Sequence, residues 1–230
     1  MRKSNCLLVN CVAPLLALAL LAGSAPCLAQ ELKPITLPAP QKTGGKGVIQ
    51  ALAERQTTRE YTDQTFAPQM LSNLLWAAFG VNRSEDEKPG LGRTAPSAMN
   101  RQEVELYVAL PEGVYVYEAV PNRLRPVVAG DLRGKLGAAA AAQAALTIVY
   151  VADSAKGSTP NRGGGGGVVG FSEVNAGFIG QNVYLFAASE GLGAWFRAGI
   201  PDAEGLSKTL SLRPEQRVLY VQTVGYPAKQ

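Results

Sequence analysis

Two periods organise the apolar positions of this chain, one helical and one alternating, and they exchange several times between residues 48 and 224. Val48, Leu52 and Ala53 recur at helical spacing, which predicts a first helix through Arg59 that runs into a polar turn. A second stripe, Met70, Leu71, Leu74, Leu75, Ala78 and Phe79, is bounded by Pro68, suited to a first turn, and Gly80, suited to a C-terminal cap. Residues 81–93 are polar and contain Pro and Gly, so they read as a loop. Val104–Leu110 and Val114–Val120 are β-rich runs around Pro111-Glu112-Gly113, a hairpin signal.

Asp131–Ala145 reads as helical, with an alanine-rich second half, and Leu146–Ala152 is apolar without a break, as a buried strand would be. Asp153–Ser172 contains the five consecutive glycines Gly163 to Gly167 and is expected to be a loop. Glu173–Gly191 is the longest helical segment and is apolar around most of its circumference, so it must be covered either by the core or by a second subunit. After Ala194–Phe196 come a short helix near Asp202–Leu210 and an apolar strand, Val218–Val224. Helices and strands mix without βαβ alternation or a dinucleotide-binding glycine fingerprint, which gives an α+β class.

Ahead of these elements lie two segments of different character. Residues 1–29 combine Arg2 and Lys3 with the apolar stretch Val12–Ala22 and end in the small residue Ala29, the pattern of a cleaved secretory signal peptide. The expected location is therefore across the inner membrane, in the periplasm. Residues 30–46, rich in Pro, Gly, Lys and Gln, read as an extended leader, and the domain proper is expected over 47–228.

Removing the signal changes the composition in one decisive way. All three cysteines, Cys6, Cys11 and Cys27, leave with it, and the chain contains no histidine. Triads of the Ser-His-Asp type, Cys-His nucleophiles, zinc centres of the usual ligand types and disulfides are thereby excluded from the mature protein. Loss of Arg2 and Lys3 from the 22 basic residues leaves 20 against 18 acidic ones, so the net charge falls from +4 to +2. Such a balance, with basic residues scattered, carries no electrostatic footprint for nucleic acid.

Three clusters can carry chemistry. Arg55-Gln56-Thr57-Thr58-Arg59 sets two arginines four apart with hydroxyls between them, which suits either a phosphate cradle or a solvated helix end. Ala95 to Gln102 supplies Ser97, Asn100 and Gln102, donors and acceptors fitted to the heteroatoms of a planar ring, or simply a polar turn. Gly177 to Asn182 places two glycines and the polar Gln181 and Asn182 in the apolar helix, for close backbone approach to a ligand or to a packed neighbour.

Taken in order, RQTTREY, LLWAAFGVNR, RTAPSAMNRQEVELYV, NAGFIGQNVYLFAASEGLG and VLYVQTVGYP resemble the nitroreductase superfamily, and most closely its SagB-like thiazoline dehydrogenase branch, over about Val48 to Pro227. The resemblance implies a mainly antiparallel central sheet flanked by helices and a homodimer holding FMN at its interface. It places Arg55, Gln56, Thr57 and Arg59 on the phosphate and Ser97 and Asn100 on the partner-subunit wall of the flavin ring. Ala198 and Gly199 would present backbone N–H groups to the ring, and Lys229 is the basic residue left at the C-terminus to reach the phosphate. It further implies NAD(P)H as donor and a small nitro, quinone or azoline-like substrate. A flavin performs the hard chemistry itself, so the absence of His and Cys is no obstacle. The alternative is a non-catalytic exported ligand-binding or accessory protein that keeps the same fold.

Overall fold

The computed structural model describes residues 31–83, 91–156 and 171–228, so the predicted signal peptide, the polyglycine segment and Lys229 lie outside the described residues. In chain order the elements are β1 (Ile35–Thr36), α1 (Val48–Glu54), α2 (Pro68–Phe79), β2 (Val81–Arg83), β3 (Gly92–Arg93), β4 (Val104–Leu110), β5 (Gly113–Glu118), β6 (Arg123–Ala129), β7 (Leu146–Asp153), α3 (Phe171–Ser189), β8 (Gly193–Arg197), α4 (Ala203–Thr209) and β9 (Gln216–Gly225). Seven strands form one sheet in the order β1-β6-β5-β4-β7-β9-β8, with every neighbouring pair antiparallel. The α+β class and the antiparallel sheet are both as expected.

An apolar run without alternation needs cover on both faces, and β7, an interior strand between β4 and β9, has it: all eight residues are buried. Leu146, Ile148 and Tyr150 pack with Leu74, Leu75, Ile179 and Val183 of α2 and α3. On the opposite face Val149 and Val151 pack with Leu136, Leu210 and Val221. Pro68 occupies the first turn of α2 as predicted, while Gly80 caps it in an extended conformation (φ −73°, ψ 169°) rather than a left-handed one.

Several sequence expectations are corrected. The first helix stops at Glu54, and Arg55 already has extended ψ (121°), so the arginines are not held by helical spacing. Asp131–Ala145 is not an α-helix but two single 3-10 turns, Arg133–Lys135 and Ala139–Ala142. Gly137, at φ +104°, breaks the helical path, and the buried Arg133 holds the turns together through Asp131 and the Ala144 carbonyl. Strand β6 was hidden by Pro126, and the 81–93 loop contributes the short pair β2–β3. Residues 31–46 are extended but belong to the packed unit Glu31–Gln230: Ile35 and Thr36 pair with Leu124 and Arg123, and Leu37 is buried.

Candidate functional site

The segment Arg55–Tyr61 is laid along the exposed edge of the sheet. Thr57 forms a parallel bridge with Ala194 of β8, and the Thr58 amide donates to the Ala194 carbonyl at 3.0 Å. Gly193 permits this approach, because a Cβ there would stand 2.6 Å from the Thr58 methyl. The buried Tyr61 hydroxyl donates to the Thr58 carbonyl at 2.5 Å, and burial pushes that phenol well above its ordinary range, so it remains a donor. Backbone bonds from Thr62 to the Tyr226 carbonyl and from Ala228 to the Glu60 carbonyl close the strap on its other side.

Aromatic residues that the sequence reading did not single out then carry the cations. The Arg55 guanidinium lies over the Tyr184 ring at 5.4 Å, and the Tyr184 hydroxyl is 3.2 Å from Thr57 Oγ1 and accepts from the Phe196 amide at 2.9 Å. The Arg59 guanidinium lies over Trp195 at 5.4 Å, and that of Arg197 lies over the same indole at 4.7 Å. Among the described residues none of these three arginines pairs with a carboxylate. Gln56, Thr58 and Pro227 line two adjoining cavities of about 350 and 490 Å³, and Thr57 and Arg59 line the larger. Arg59 is the arginine of the three that lines this volume, alongside Glu60, and a guanidinium free of carboxylate partners among the described residues at open volume is suited to an anion such as a phosphate ester.

Ala198 and Gly199 follow directly on β8, both exposed, with Gly199 in the left-handed region at φ +82°. The structure therefore gathers Arg55, Gln56, Thr57, Arg59, Ala198 and Gly199 around one strand. Ser97 and Asn100 are not brought there. Their loop sits at the other end of α3, where the Asn175 side chain accepts from the Ala98 amide, nine residues and about 14 Å of helix from Tyr184. Ser97 Oγ donates to the buried Glu103 carboxylate and accepts from the Gln102 amide, and Asn100 bonds to the Leu91 carbonyl and to Gln102. Met99, Asn100 and Gln102 all have left-handed backbone angles, with φ 56°, 52° and 52°, a concentration of strain in non-glycine residues that a loop keeps only when its surroundings hold it. Lys229 lies outside the described residues.

Gln181 and Asn182 divide as the open reading allowed. Asn182 donates to the Thr94 and Ala78 carbonyls and so joins helices, whereas Gln181 is exposed. Gly180 admits Phe196 against α3, since a Cβ there would meet its ring at 2.6 Å.

Comparison with known proteins gives the family. Residues 52–226 match the nitroreductase family. A crystal structure described as a nitroreductase from Ralstonia eutropha is 35% identical, with a TM-score of 0.75, over 86% of this chain and 90% of that one. A Methanocaldococcus jannaschii protein described as a nitroreductase is 29% identical over 150 residues, which is 62% of this chain and 73% of that protein. A structure described as an NADH oxidase from Clostridium acetobutylicum, at 22% identity, covers 80% of this chain and 89% of that one with a TM-score of 0.54 and shares the fold. With its sheet, its edge-bound arginine strap and a match over most of its length, this chain belongs to the nitroreductase family and is an oxidoreductase.

Proposed function

We propose that the mature protein is an exported, FMN-dependent oxidoreductase that works as a homodimer and moves electrons to or from a small nitro, quinone or azoline-like compound, with NAD(P)H as a donor and the SagB-like branch as its nearest kin. The observation that carries the reading is a set of three arginines, Arg55, Arg59 and Arg197, that have no carboxylate partner among the described residues and stack on Tyr184 and Trp195 beside β8, with Arg59 lining open volume. When bound, the flavin supplies reversible hydride acceptance. The chain's own residues bind and orient. Arg55, Arg59 and Thr57 receive the phosphate, with Tyr184 and Trp195 fixing the guanidinium planes. The Ala198–Gly199 backbone faces the ring, and protons come from water.

The separation of Ser97 and Asn100 from this cluster supports a dimer, because a wall supplied by a second copy is the arrangement the family resemblance implies. The exposed Met99 at the tip of that loop, and the exposed apolar residues Val48, Ile49 and Leu52 of α1 with Phe171, Val174 and Phe178 of α3, provide surface for it.

Absorbance of the protein recovered from the periplasmic fraction is the direct test, and N-terminal sequencing of the same sample is expected to begin at Gln30. A flavin spectrum, or uptake of added FMN that Arg55→Ala weakens about tenfold or more, is the expected outcome. A colourless protein that takes up no FMN would leave the non-catalytic ligand-binding alternative.

A further inference from the structure

Arg197 is the charge in this site that the sequence reading passed over. It ends β8 and directly precedes Ala198. Its Nη1 donates to Thr223 Oγ1 at 2.8 Å and its Nη2 to the Leu136 carbonyl at 2.7 Å, which fixes the fork in one plane, while Nε is buried without a partner. Burial acts against its charged form, no carboxylate among the described residues offsets that cost, and a second guanidinium, that of Arg59, shares its indole. Two like charges on one ring with no carboxylate partner among the described residues are unfavourable by themselves, so the arrangement suits a partner that carries or acquires negative charge. Arg197 differs from Arg55 and Arg59 in place: those lie on the strap, whereas Arg197 is adjacent in the chain to the backbone pair that faces the ring.

We propose that Arg197 is a positioning and charge-setting residue for the flavin ring rather than a phosphate ligand: it braces the Ala198–Gly199 turn against Leu136 and Thr223 and holds a fixed positive charge beside the ring. This rests on the flavin reading above. A fixed cation favours the reduced, negatively charged ring over the oxidised neutral one, so it raises the midpoint potential, and it acts on riboflavin as it does on FMN because the phosphate is not involved.

The experiment uses the mature protein and the variants Arg197→Gln, which keeps donors but removes charge, Arg197→Met, and Arg197→Lys, which keeps charge but loses the fork. Each is titrated with FMN and with riboflavin, and the midpoint potential of the bound flavin is measured. Both neutral variants are expected to lower the potential, to weaken reduced-flavin binding on the order of tenfold to a hundredfold relative to oxidised, and to weaken riboflavin and FMN alike. Arg197→Lys is expected to recover most of the potential, and Arg55→Ala to weaken FMN alone. Thermal melts identify a variant that does not fold, and the other neutral variant then carries the test. A neutral variant with wild-type potential and riboflavin affinity overturns the proposal, as does one that weakens FMN but not riboflavin, or a lysine variant no better than glutamine. Wild-type protein that binds neither flavin overturns the flavin reading itself, and this inference with it.

Discussion

At the level of single residues, charge is managed in two opposite ways. Arg133, with its side chain only 10% exposed, is a structural cation: Asp131 receives its Nε and Nη2, and the Ala144 carbonyl receives Nη1. Hydrogen bonding to Arg133 holds the Asp131 carboxyl below its ordinary value. A depressed folded-state pKa contributes stability that is present above the unfolded value, near 4, and is lost as pH falls through the lower folded value. Asp131→Asn should therefore cost about 1 kcal/mol at pH 7, discounted because the Asp131 side chain is 40% exposed, and the gap to wild type should close below pH ~4 in urea titrations. A gap independent of pH would assign the bond no role. Arg55, Arg59 and Arg197 do the opposite, stacking on aromatic rings with no carboxylate partner among the described residues. The sequence shows every one of these arginines; it does not show which have carboxylates opposite them, because Asp131 is two residues from Arg133 while the platforms Tyr184 and Trp195 are more than 100 residues from the strap.

At the level of elements, α3 and β8 form the junction on which the site depends. Phe196 packs between Tyr150 and Tyr220, at 5.3 and 5.0 Å between ring centroids, and reaches α3 only because position 180 lacks a side chain. Gly180→Ala would drive a Cβ into a ring that cannot retreat, at a cost of about 1–3 kcal/mol. A fall in Tm of about 2–12 °C is expected for a chain of this size, together with weaker flavin binding, since Trp195 and Arg197 flank the displaced ring. Gly177→Ala, one turn earlier with nothing within 4 Å of its Cβ, should leave Tm unchanged or raise it slightly. Equal losses in the two variants would show that helix backbone, not the Phe196 contact, governs the junction. Elements were legible where period and boundary agreed, as in α2, the β4–β5 hairpin and β7. They were misread where glycines and a buried arginine replaced a helix by 3-10 turns, and where a proline masked β6.

At the level of the whole molecule, the apolar surface on α1 and α3 is the feature that a single chain does not account for. Ile49 is 76% exposed and Phe171 62%, on two helices that pack together. If this face joins two copies, Ile49→Asp with Phe178→Asp should shift sedimentation from dimer to monomer and abolish FMN retention while leaving the fold's circular dichroism in place. A double variant that stays dimeric would move the interface elsewhere. Among the described residues no helix is long and apolar enough to cross a membrane.

The sequence by itself determined the class, the absence of imidazole chemistry and the confinement of all three cysteines to the first 27 residues, since composition and position are properties of the chain alone. It also carried, through the order of its motifs, the family. Only the tertiary structure decided that the strap is an edge bridge to β8 and not a helix end, that Tyr184 and Trp195 hold its cations, and that Arg197 joins them while Ser97 and Asn100 lie at the far end of α3. Those relations are set by β-bridge register and by packing between segments distant in sequence, and a one-dimensional pattern does not encode which distant segments meet.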